Sequence, residues 1–169
     1  MNAYATAPWQ NFFIAEVGAA AALTGLLFVA VSINLKPILS FPKLPARAAE
    51  TLSLLLLVVV SSLALAPQTS EALGIEVIGC AGLMSLAVLR VQLRHGPDDP
   101  ADPAWWFASR IANVQLPALL FLAGGITLTV RHGYGLYFML AGTLTAFLGA
   151  VYNAWVLLVE IIRQHPDPG

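Results

Sequence analysis

Apolar residues run nearly unbroken along this chain, in five blocks separated by short stretches of Pro, Gly and charge. The first block, Phe12 to Leu35 (FFIAEVGAAAALTGLLFVAVSINL), holds one ionisable residue, Glu16. Roughly 20 apolar helical residues cross the hydrocarbon core of a bilayer, so this block predicts a transmembrane helix, with Pro37 as its stop. A loop over 36–46 leads to a second span at about 46–66, built on the uncharged LSLLLLVVVSSLALA and ended by Pro67. After a short loop at 68–73, a third span is predicted at about 74–93, with Arg90 and Arg94 at its end. The segment HGPDDPADP holds three prolines, which forbid a continuous helix. A fourth span follows at about 104–130 and, after the Arg131-His132-Gly133 turn, a fifth at 134–162. Trp9, Phe12 and Phe13 before span one, and Trp105, Trp106 and Phe107 before span four, sit where interfacial aromatic belts form.

Composition agrees. The 169 residues are 59% hydrophobic and 10% charged, with a mean hydropathy of +0.79. Soluble domains hold about 25% charged residues, so this chain has too little charge to cover itself in water. The expected fold is all-α: a polytopic transmembrane bundle of five spans forming a single membrane domain over 1–169. Five spans place the ends on opposite sides. With the N-terminus outside and the C-terminus inside, seven of the eight basic residues fall at the inner face and only Arg131 outside. That is the positive-inside pattern, and it predicts a multi-pass protein of the plasma or inner membrane. No Lys or Arg occurs in residues 1–11 and the first apolar run exceeds an h-region, so no cleavable signal peptide is expected. The net charge of −1 gives no reason to expect nucleic acid. The two similar stretches LAGGITLT and LAGTLT lie on antiparallel spans and make no repeat.

Three polar or small-residue features remain. Glu16 lies about one turn inside the outer end of span one. An acid in a transmembrane helix is costly and faces a partner or water. It is read as a carboxylate reaching the interface, paired with Arg131 or His132, or alternatively as the cation or proton site of an outer vestibule. At the inner side, Arg110, Asn113 and Pro117 share a face of span four, and Asn153 and Glu160 share one on span five. An Arg110–Glu160 ion pair and an Asn113–Asn153 hydrogen bond would make a polar clasp, the favoured reading over a vestibule lining. Asn34 is placed in the same cluster, and Glu50 is read as a local partner of Arg47. The third feature is helix packing: Gly18, Ala22 and Gly25 on span one, and Ala141, Thr145 and Gly149 on span five, recur at intervals that let backbones approach in lipid. Packing within the chain is the default for these rows, with a homo-oligomer as the alternative. Pro117, two turns before Gly124 and Gly125, predicts a static kink.

Enzyme chemistry finds no support. His95, His132 and His165 have no metal-ligand spacing, Cys80 stands alone, and no histidine shares the membrane with Ser61 or Ser62. No catalytic, cofactor or metal site is expected. GAAAALTGLLFVAVSINL at 18–35 together with LPARAAETL at 44–52 resembles a group of small uncharacterised bacterial integral membrane proteins. Some of these are labelled modulators of a membrane-bound quality-control protease. The resemblance implies an accessory role and transfers no site residue. The expected function is therefore structural or accessory, through helix–helix contact with itself or another membrane protein in the lipid bilayer. The alternative is an oligomeric channel or carrier for ions or small solutes.

Overall fold

In hydrocarbon every backbone N–H and C=O needs an internal partner, which a helix supplies within one segment. The apolar blocks fold accordingly. A computed structural model describes residues 7–40, 44–96, 104–130 and 133–163, excluding the side chains of residue 95 and residues 160–163. Its helices are α1 (Gln10–Ile33), α2 (Leu35–Ser40), α3 (Leu44–Val60), α4 (Ser70–His95), α5 (Ala104–Thr129) and α6 (Gly135–Arg163). Five helical segments are long and apolar enough to cross a membrane: Ala7–Ile33, Leu44–Leu65, Ser70–Arg94, Ala104–Thr129 and Gly135–Val159. This is the character of a multi-pass membrane protein.

The departures from expectation lie at the ends of the spans. Pro37, expected to end helical structure, sits in the first turn of α2. There its missing N–H would have had no helical partner anyway. Between α1 and α2, Asn34 caps α1: its N–H and its Nδ2 both donate to the Ala30 carbonyl, at 3.2 and 2.9 Å. Span two does not stay α-helical. From Ser61 to Leu65 it tightens into a 3-10 turn before Ala66 turns extended. The expected loop at 68–73 is shorter, because α4 starts at Ser70. The Thr69 side chain accepts from the Ala72 N–H at 3.2 Å, an N-cap, and Glu71 in the first turn complements the helix dipole. Gly96, at φ 65, ends that helix in a conformation that favours glycine. Arg131 and His132 lie outside the described residues.

Helices α4, α5 and α6 pack in sequence, and α3 closes on α6. Glycines set the closeness. A Cβ on Gly74 of α4 would stand 2.6 Å from the Gly125 carbonyl of α5, and one on Gly125 would stand 2.8 Å from the Gly74 carbonyl. Around these crossings two apolar clusters stack along the bundle. One includes Phe13, Leu57, Leu73, Phe121 and Met139; the other includes Leu27, Leu54, Leu55, Ala146 and Leu157. Helix α1 is the peripheral element. It rests on α3 and the 3-10 turn and only grazes α6. It buries Phe13, Glu16, Ala20 and Leu27 and leaves the opposite face open.

Candidate functional site

Two buried polar clusters occupy opposite ends of the bundle, and each is assembled by matching depth. Six residues separate Glu16 from the start of α1, about 9 Å at the α-helical rise. Eight separate Thr143 from the start of α6, about 12 Å. Ser61 lies four residues from the end of its 3-10 turn, about 8 Å. All three reach one level. Glu16 is 4% exposed, Ser61 0% and Thr143 1%. The Ser61 hydroxyl faces both Glu16 Oε1 and the Val58 carbonyl. A hydroxyl has one proton to give, so it satisfies one of these acceptors at a time. Thr143 lies beside the same carboxylate without closing a hydrogen bond to it. Glu16 Oε2 and Thr143 Oγ1 therefore both lack a partner among the described residues. The expectation that Glu16 reaches to water at the interface is corrected here, because its carboxylate points inward among three spans. Trp9 covers this end, with its ring centroid 4.9 Å from that of Tyr137 and 6.1 Å from that of Phe12.

At the other end Arg110 forms an ion pair with Glu50. Arg110 Nη2 donates to Glu50 Oε1 at 2.6 Å and Nε donates to Oε2 at 3.3 Å, a forked contact between α5 and α3. The side chains are 3% and 1% exposed. Both residues lie six positions from the start of their helices, again about 9 Å deep. The Glu160 side chain, expected here, lies outside the described residues. Three positions on, Asn113 Nδ2 donates to Asn153 Oδ1 at 3.2 Å and approaches the Gly149 carbonyl at 3.5 Å. So Arg110, Asn113 and Asn153 do come together, with α3 supplying the acid. Asn34 does not join them. It borders an apolar groove of about 280 Å³ between α1, α3 and α6, lined by Leu27, Leu55, Ala150 and Leu157 among others.

The small-residue rows divide. Gly149 packs where α6 meets α5 and α3: a Cβ there would lie 3.1 Å from both Asn113 Oδ1 and Leu54 Cδ1. Ala141 is half-buried, and Thr145 folds its hydroxyl back onto the Ala141 carbonyl at 2.8 Å. Gly18, Ala22 and Gly25, expected to pack within the chain, are exposed. A Cβ on Gly18 or Gly25 would meet nothing within 4 Å. Sequence reasoning missed Thr143, and it considered Ser61 only as a nucleophile. It also missed the clasp between α4 and α5, where Ser85 and Gln115 meet side chain to side chain and Gln115 Nε2 donates to the Ser85 carbonyl at 3.3 Å. Depth along antiparallel spans was the available signal for Ser61 and Glu50.

Among the described residues, no three His, Cys, Asp or Glu side chains gather to hold a metal. Compared with known proteins, the chain matches no family model, no curated relative and no solved structure. The reading of function therefore rests on the residues themselves.

Proposed function

We propose that this protein is a structural or accessory protein of a bacterial plasma or inner membrane, acting through helix–helix association and carrying out no reaction. One observation carries the reading. Gly74 on α4, Gly124 and Gly125 on α5 and Gly135, Gly142 and Gly149 on α6 are each closed off by a neighbour; the row Gly18, Ala22 and Gly25 on α1 is left open. Without water to drive burial, transmembrane helices associate by close van der Waals packing, and small residues mark the faces where they meet. A self-complementary row on a peripheral helix suits an isologous contact, so the partner we assign is α1 of a second copy. The orientation that goes with this reading has the Glu16 end outside and the Arg110 end inside, with Lys36, Arg47, Arg90, Arg94 and Arg110 towards the cytoplasm. The resemblance over 18–52 to small bacterial membrane proteins, some labelled as modulators of a protease, is compatible with an accessory role.

The mass of the protein in mild detergent and in native nanodiscs tests this. A dimer is expected, reduced to monomer by Gly18→Leu and Gly25→Leu. Both changes should leave the bundle folded, because both sites are exposed and a Cβ at either meets nothing within 4 Å. A wild-type monomer, or a dimer indifferent to both substitutions, overturns the proposal.

A further inference from the structure

The polar pocket at the outer part of α1 serves no role in helix association, and its composition suggests one of its own. Burying a lone carboxylate at membrane depth is expensive unless its charge is balanced. No cationic side chain contacts Glu16 among the described residues. On α1 it is the one ionisable residue. On α3 the nearest, Glu50, is eleven residues from Ser61, about 16 Å away along the helix. Tyr134, just before α6, and Tyr137 on it are exposed, and Glu160 is seventeen residues from Thr143, about 25 Å. Two oxygens in the pocket are unpartnered, Glu16 Oε2 and Thr143 Oγ1, and both are enclosed. Thr143 stands beside the Glu16 carboxylate, yet neither of these two oxygens is satisfied by a protein partner among the described residues. The Ser61 hydroxyl and the Val58 carbonyl complete the rim. The rim also coincides with the point where span two leaves α-helical geometry for a 3-10 turn. Irregular backbone at membrane depth occurs where it lines a cavity or an ion site.

We propose that Glu16, Ser61 and Thr143 form a binding site for one small monovalent cation of the sodium class. The chemistry selects it in two steps. The donors are all oxygens, carboxylate, hydroxyl and carbonyl, which suit hard cations. Among the described residues the pocket holds one acid, so a monovalent ion leaves it neutral, whereas a divalent ion would leave a net charge buried in a low-dielectric surrounding. The ion bridges Oε2 and Thr143 Oγ1 and ties α1 to α6, two helices that otherwise barely touch. This site goes beyond the association reading and does not depend on it.

The experiment is thermal unfolding of the full chain in nanodiscs at fixed pH, titrated with NaCl while choline chloride holds ionic strength constant. A ligand at a hundred times its Kd shifts the folding equilibrium about 100-fold. The expected result is a saturable rise in Tm with sodium that choline does not reproduce, lost in Thr143→Val and in Glu16→Gln. Thr143→Val carries the test if Glu16→Gln does not fold, since it removes one oxygen and keeps the shape. A wild type indifferent to sodium overturns the proposal. So does a sodium response that survives Thr143→Val. A response to pH alone, lost in Glu16→Gln, also overturns it, because the pocket would then hold a proton and no metal ion.

Discussion

The Glu50–Arg110 pair makes the sharpest quantitative prediction. Two charges held 2.6 Å apart between α3 and α5, with side chains 1% and 3% exposed, have exchanged their hydration for each other. Removing Arg110 leaves the Glu50 carboxylate buried without this cation, which costs about 3–5 kcal/mol. Arg110→Met should destabilise the fold by that amount, and Glu50→Leu should destabilise it by less, since Arg110 keeps its other contact. The double variant should recover most of it, because an apolar pair of similar volume replaces a buried ion pair at little cost or with a gain. The coupling free energy of the cycle is therefore expected to be several kcal/mol, well above the 0.2–1 kcal/mol or so of exposed pairs. Reversible unfolding in mixed micelles, followed by circular dichroism at two salt concentrations, measures it. Salt should change the coupling little, since screening over about 8 Å at physiological ionic strength acts on solvated charges. Additive single variants, or a coupling that vanishes in high salt, would refute the assignment of a dry pair across α3 and α5.

The other predictions concern packing, hydrogen bonding and orientation. Gly125→Leu should overpack the α4–α5 crossing, where even a Cβ would come within 2.8 Å of the Gly74 carbonyl; a loss of about 1–3 kcal/mol in the same unfolding assay is expected. Asn153→Leu removes the acceptor held by Asn113 at 3.2 Å and should cost about 0.6 kcal/mol, the average for interhelical hydrogen bonds in a membrane bundle, and no more than about 1.7. A larger loss would mean that Asn153 does more than join α5 to α6. A reporter fused after Gly169 should be active only in the cytoplasm; activity on the far side would reverse the orientation we propose.

How far the sequence could be read depended on which physical constraint set each feature. Span length and apolarity come from bilayer thickness, a constraint that acts on each segment alone, so five helices were visible without knowing their neighbours. The boundaries were less visible because capping decides them. Pro37 reads as a stop until its place in a first turn is known, and Thr69 becomes an N-cap only once α4 is seen to start at Ser70. Pairing across the bundle was harder still. Along span five, Glu160 shares a face with Asn153, and face-sharing made it the expected partner of Arg110. Depth brings in a further acid. The Glu160 side chain lies outside the described residues, and Glu50 and Arg110 are both six residues into their helices. The same count brings Ser61 to the level of Glu16 and Asn113 to that of Asn153. In a bundle of antiparallel spans the distance of a polar residue from its own membrane face is set by its place in the sequence, and residues at similar depth are the ones within reach of each other. Periodicity says which way a side chain points; depth says which others it can reach. Reading both together would have named the Glu50–Arg110 pair and the Glu16–Ser61 contact. It would have left open only the order of the helices around the bundle, which the close glycine crossings of α4, α5 and α6 decide.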